Sequence, residues 1–219
     1  MLSLAALPCI ACCLASPLRV VHETSGLLFL YKPPGLAFHS SPSSPGLLAS
    51  VRAMQSSGGF PHAGRLYAVH RLDRVTSGLL MLAKTPAAAR DVASLLRARR
   101  VHKYYVALTS RRPAKKRGVV RGDMQRSRRG QWRLLRTAEN PATTRFFSTP
   151  VDSGGRALRA LVLRPISGRT HQLRVAMKAV GAALLGDEMY DAAERARMEE
   201  RTYLHAGALR LPGAAVSWE

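Results

Sequence analysis

Asp73 is the residue around which chemistry can be built in this chain. It is the only carboxylate between Glu23 and Asp91, it stands between Arg71 and Arg74, and it precedes Thr76-Ser77-Gly78 and the apolar run Leu79-Leu80-Met81-Leu82-Ala83. A lone acid among cations, just before a core strand, is held ionised by its neighbours. That is the state a carboxylate nucleophile or base needs. A second reading stands beside it: an Asp ahead of a Thr-Ser-Gly turn also serves as a turn former, its side chain bonding backbone N–H groups two residues on. The rest of the chain has to decide between them.

The elements that would position this acid are legible in the pattern. Leu27 to Tyr31 reads as a strand stopped by Lys32-Pro33-Pro34-Gly35, where the prolines remove N–H donors and fix an extended turn. Leu47 to Met54 reads as a short helix between two loops. Thr85 and Pro86 open a helix whose stripe is Val92, Leu95 and Leu96 and whose end carries Arg97, Arg99 and Arg100. The segment Val101 to Thr109 reads as a strand, with Lys103, Tyr105 and Ala107 on one face and His102, Tyr104, Val106 and Leu108 on the other. Arg145–Ser148 and Ala157–Leu163 are two more strands across an Asp152-Ser153-Gly154-Gly155 turn. A helix capped by Thr170 and closed by Gly181 would bring His171, Arg174 and Lys178 to one face. Asp187 to Glu200 reads as an exposed acidic loop and helix, and Tyr203 to Leu211 as a last strand.

Composition narrows the partners. The 219 residues carry a formal net charge of +21 and are 47% hydrophobic, which suits one folded domain of catalytic size rather than a disordered chain. An excess of that sign is the footprint of a phosphate-rich partner. No apolar stretch is long enough to span a bilayer, so nucleic acid is favoured over a membrane. Residues 111–136 hold eleven Lys or Arg against the single acid Asp123, and Arg126, Arg128 and Arg129 lie close to Trp132. Cations beside an aromatic ring suit RNA phosphates with a stacked base. The three cysteines, Cys9, Cys12 and Cys13, lie in an uncharged apolar start, so the body has no disulfide framework. Residues 1–17 are expected to be a leader or a disordered start, with the folded domain over 18–219. The expected compartment is cytoplasmic, or organellar if that start is a targeting leader. His70, His171 and His205 lie on three different elements without metal-ligand spacing, and read as hydrogen-bonded structural histidines rather than a metal site.

Taken together, several segments resemble the RluA family of pseudouridine synthases. They are Lys32-Pro33-Pro34-Gly35-Leu36 with His39, His70-Arg71-Leu72-Asp73 through Thr76-Ser77-Gly78-Leu79-Leu80, Lys103-Tyr104-Tyr105, Gly168-Arg169-Thr170-His171-Gln172-Leu173-Arg174-Val175, Gly186-Asp187 with Tyr190, and Leu204-His205-Ala206. They follow the family's order from about residue 18 onward. The chain departs from the family pattern at Ala176, at Ala182-Ala183 and at Asp191.

The resemblance implies a mixed α/β fold (α+β) with a central, largely antiparallel sheet and flanking helices. It implies isomerisation of uridine in structured RNA, ribosomal RNA ahead of transfer RNA, with no cofactor, no metal and no obligate protein partner. Nothing is oxidised in that reaction and no group leaves the polymer. Asp73 would be the catalytic aspartate, Tyr105 would stack on the uracil and act as base toward C5, and Arg174 would pair with Asp73 across a cleft. Arg71 would fill the gap left by the everted nucleotide, Leu204 would pack against the base, and Lys103 with Arg126, Arg128 and Arg129 would contact substrate. Two rivals differ in class. An inactive RNA-binding or ribosome-assembly protein of the same fold would have little reason to keep Asp73, Tyr105 and Arg174, and a hydrolytic glycosidase would need paired carboxylates, which Asp73 lacks.

Overall fold

Alternating and continuous apolar runs become strands, and every ladder whose register is given below is antiparallel. The computed structural model describes residues 17–217, so the leader expected over residues 1–17 lies almost wholly outside the described residues. The chain divides into two compact units, one holding the described residues up to Arg100 and from Gly207 on, the other Val101–Ala206.

In the first unit, β1 (Arg19–Glu23) pairs with β2 (Leu27–Lys32), and β2 pairs with β4 (Ser77–Ala83). Every residue of β4 is buried, as a strand covered on both faces must be when its sequence is Leu-Leu-Met-Leu rather than alternating. The short β3 (Tyr67–Ala68) adds to the end of β4. Helix α1 (Leu47–Ser56) buries Leu47 and Val51. Helix α2 (Pro86–Arg97) starts as its sequence dictates, with the Thr85 hydroxyl accepting the Ala88 N–H at 3.1 Å and Pro86 in the first turn.

In the second unit, β5 (His102–Thr109) pairs with β10 (Leu158–Pro165), β10 with β9 (Ala142–Val151), and β9 with β6 (Arg117–Gly122). A separate hairpin, β7 (Met124–Arg126) and β8 (Trp132–Leu134), sets Arg126 opposite Trp132. The basic stretch thus contains a short β-hairpin, in which apolar Met124, Trp132 and Leu134 flank a Ser-Arg-Arg-Gly turn whose Arg129 and Gly130 both take positive φ. Helix α3 spans Gln172–Ala179 and α4 spans Ala193–Ala196. Strand β11 (Leu204–Leu211) runs across the boundary of the units, and its end forms a hairpin with β12 (Ala214–Ser217). The mixed α/β class with a largely antiparallel sheet is thus as expected.

Two expectations need correction. Thr170 does not cap α3: the N-cap is His171, at φ 56° with no side-chain cap bond, because Gln172 turns back and its Oε1 accepts the Arg169 N–H at 3.0 Å. Nor is the whole acidic stretch from Asp187 exposed. Asp187 is 0% and Tyr190 3% accessible, since both pack under α3. Among the described residues, no helix is long and apolar enough to cross a membrane.

Candidate active site

The turn that carries Asp73 is held through the backbone. Asp73 and Thr76 close it, the Thr76 N–H donating to the Asp73 carbonyl at 3.0 Å, so the residue is a turn former by its main chain whatever its side chain does. The neighbouring Arg74 carbonyl accepts the Gly35 N–H at 2.8 Å and the Lys32 ammonium at 3.2 Å. Lys32 is fully buried and its Nζ also donates to the Pro33 and Leu36 carbonyls, at 2.8 and 2.9 Å. A buried ammonium needs every proton matched, and here three main-chain oxygens meet it. They bind the Pro33–Leu36 turn to the Asp73 turn. Gly35 takes φ 85°, a conformation that a side chain would strain.

His70 fastens the other flank, its Nε2 accepting the Met81 N–H of β4 at 3.0 Å. That bond fixes the neutral tautomer with its proton on Nδ1. Ser77 and Thr76 are buried, whereas Asp73 is half-buried and Arg71 and Arg74 are exposed. Arg71 reaches His39, with 3.4 Å between Nη1 and Nε2. The first unit therefore presents a partly accessible carboxylate on a rigid turn, with an exposed arginine on either side.

In the second unit the strand faces fall as read. Tyr105, Ala107 and Thr109 are buried on the face that begins with half-buried Lys103. Burial pushes the Lys103 ammonium below the ordinary lysine range, so it gives up its proton more readily than a surface lysine. Leu204 is 2% accessible, at the start of β11.

Arg174, Lys178 and His171 do share one side of α3, exposed at Lys178 but half-buried at His171 and buried at Arg174. All three converge on Tyr190. The Arg174 guanidinium carbon lies 4.9 Å and the Lys178 ammonium 5.6 Å from its ring centroid. Its hydroxyl is hydrogen-bonded to His171 Nδ1 at 2.8 Å and accepts the Trp132 main-chain N–H at 2.9 Å.

Arg174 is itself 4% accessible and forks onto Asp187, Nε and Nη2 donating to the two carboxylate oxygens at 2.7 Å each. Asp187 sits there because Gly186 turns the chain at φ 72°, where an added Cβ would stand 1.9 Å from the Arg201 carbonyl oxygen. No other residue fits that position.

Gln172 is a further positioning group. Its buried amide accepts from the Ser167 hydroxyl and the Arg169 N–H while donating to the Thr143 carbonyl and Thr144 hydroxyl at 3.0 Å each, locking the Gly168-Arg169-Thr170 turn to β9.

Arg126, Arg128 and Arg129 are exposed on the hairpin, as a phosphate-contacting surface requires. Lys32, Gln172, Asp187 and Tyr190 had no role assigned from sequence. The signal for Lys32 was a cation closing an apolar strand, and the signal for Gln172 a polar residue opening the buried side of a helix.

The model of the family described as RNA pseudouridylate synthase matches residues 26–179. An uncharacterised RNA pseudouridine synthase of Haemophilus influenzae is 38% identical over 192 residues, covering 88% of this chain and 81% of the relative. A dual-specificity RNA pseudouridine synthase RluA of Escherichia coli is 32% identical over 199 residues, covering 89% and 86% respectively. The solved structure of human RNA pseudouridylate synthase domain containing 4 superposes with a TM-score of 0.74 at 25% identity, covering 92% of this chain and 88% of that one.

Proposed function

This chain belongs to the RNA pseudouridylate synthase family, an isomerase family acting on RNA, and from that premise we propose that Asp73 is its catalytic aspartate. The observation that carries the assignment is the Asp73 turn, a half-buried carboxylate on main chain fastened by Lys32, Gly35 and His70. A reacting group must be held to a fraction of an ångström to be effective, and this turn is so held. The reaction breaks the C1′–N1 bond of a uridine, turns the uracil over and joins C1′ to C5. The proton lost from C5 is balanced by the one gained at N1.

The remaining roles follow motif position. Tyr105 stacks on the uracil and takes the C5 proton, and Lys103 lies on the same face of β5 as a substrate contact. Arg174 holds the productive rotamer of Asp73. Arg71 enters the RNA stack in place of the everted uridine, and Leu204 packs against the base. Arg126, Arg128 and Arg129 hold phosphates. A charge of +21 suits a folded polyanion, and ribosomal RNA is placed ahead of transfer RNA as the target in this reading.

Total RNA incubated with wild type and with Asp73→Asn, followed by carbodiimide mapping of pseudouridine as reverse-transcriptase stops, tests the reading. New stops with wild type that vanish with Asp73→Asn are expected. Stops that persist in the variant overturn the assignment of Asp73, and release of free uracil would mean hydrolysis instead.

A further inference from the structure

A cavity of about 410 Å³ lies in the second unit, at the foot of the basic hairpin. None of Asp73, Tyr105 or Arg174 lines it, and its size is that of a small-molecule or nucleotide site. One wall is formed by Trp132 and Met124, from the two strands of the hairpin. The facing segment carries Glu139 and Asn140, and the third side is the Gly168-Arg169-Thr170 turn.

The walls are fixed before anything binds. Asp123 accepts the Glu139 N–H on one carboxylate oxygen at 3.0 Å and the Asn140 N–H on the other at 2.9 Å, while its own N–H donates to the Thr137 carbonyl at 2.8 Å. The Thr137 side-chain hydrogen bond to the carboxylate first, and those two N–H groups after it, hold the Asp123 carboxyl below the usual range. Arg169 ties the third side to the second, its Nη2 reaching the Asn140 carbonyl at 3.4 Å, and Gln172 clamps the same turn from beneath. Asp123 is spent on the scaffold. Glu139 is exposed, and among the described residues its carboxylate makes no hydrogen bond or ion pair.

An aromatic face, an acceptor carboxylate and a fixed cation form the set that takes one unpaired nucleotide: stacking on the ring, hydrogen bonds to the base edge, charge on the phosphate. The location agrees. A Cβ on Gly168 would stand 3.7 Å from the ammonium of Lys103, so the cavity borders the strand that carries Tyr105. A carboxylate matches a base edge with adjacent N–H donors, which among the four bases is guanine's N1–H and N2–H, and it repels an edge made of carbonyl oxygens.

We propose that this cavity holds an unpaired guanine flanking the target uridine, stacked on Trp132, its donor edge on Glu139 and its phosphate at Arg169. The proposal rests on the chain acting on RNA, and it adds a base preference that none of the catalytic assignments supplies.

The only other tryptophan is Trp218, so in a full-length Trp218→Phe chain fluorescence reports Trp132 alone. Pentaribonucleotides UUGUU, UUAUU, UUCUU and UUUUU are titrated separately. UUGUU should quench at about tenfold lower concentration than UUUUU, the discrimination of one bidentate base contact. Glu139→Gln, an exposed change, should remove that preference and leave UUUUU unaffected. Equal quenching by all four, or no quenching by any, overturns the guanine site. Adding Asp73→Asn separates the two readings. If the catalytic assignment fails, its pseudouridine map is unchanged while the guanine preference stands. If the site fails, turnover still depends on Asp73 while the four oligonucleotides are indistinguishable.

Discussion

Replacing Lys32 by Met keeps the aliphatic stem in its buried place and removes the ammonium that joins the Pro33–Leu36 turn to the Asp73 turn. Three carbonyls lose a donor, but not equally. The Arg74 carbonyl keeps the Gly35 N–H, so only those of Pro33 and Leu36 are stripped. An acceptor buried without a partner costs about 1–3 kcal/mol. Both residues are half-buried and water reaches part of each, which puts the pair near the lower end, about 2–3 kcal/mol. Sparing the ammonium its desolvation, worth several kcal/mol, returns part of that. The net loss should be about 1–2 kcal/mol, a shift of roughly 0.5–1 M in the urea midpoint at an m-value near 2 kcal/mol per molar.

Catalysis should suffer more than stability. With the tripod gone, the Asp73 turn keeps the Gly35 bond toward the Pro33–Leu36 segment but loses its ammonium anchor, and misplacement of a reacting group by about 1 Å costs on the order of 100-fold. Lys32→Met should therefore lower single-turnover pseudouridine formation by about 10–100-fold while RNA affinity is retained, because a sealed ammonium touches no phosphate. Wild-type turnover would refute the reasoning, and so would an affinity that falls in step with the rate.

Arg174→Met should abolish turnover with a modest loss of RNA affinity, and it should cost about 3–5 kcal/mol by orphaning Asp187. Adding Asp187→Leu should restore stability, so activity that returns with it would show Arg174 to be purely architectural. Neutralising Arg126, Arg128 and Arg129 together should reduce the slope of log affinity against log salt by about 2–3, since each phosphate contact contributes about 0.7–0.9; an unchanged slope would return the hairpin to ordinary solvated surface. His205 titrates near 4 in the fold, through burial first and the Arg201 charge second. Its folded value lies below the unfolded one, so the unfolded chain takes the proton first as pH falls. Stability is full above about pH 6.5 and declines toward pH 4, by roughly 2–3 kcal/mol from this residue. The difference between wild type and His205→Gln in urea titrations across that window should show the decline, and parallel curves would remove His205 as its cause.

The chain's chemistry was easier to read than its architecture. Local signals with one physical meaning carried through: Thr85-Pro86 for a helix start, the strand alternation that put Lys103 and Tyr105 on one face, and the spacing that set His171, Arg174 and Lys178 together. What escaped was long-range. Arg174 and Asp187 are separated by a turn whose geometry depends on Gly186 meeting the Arg201 carbonyl, and no local pattern reports that approach. Thr170 looked like a better cap than His171, because cap preference ignores a glutamine that captures the preceding N–H from below. In residues 111–136 charge was the one legible signal, and it masked the short hairpin around Met124 and Trp132.

Tyr190 gives the basic hairpin a property that charge alone would not. Its hydroxyl takes a main-chain N–H from β8 and faces an imidazole at the start of α3, so the arginine-bearing arm is bolted to the helix that carries Arg174. An arm already ordered gives up little freedom when it closes on a polyanion, and strain applied at its tip is delivered to that helix rather than lost in a swinging loop.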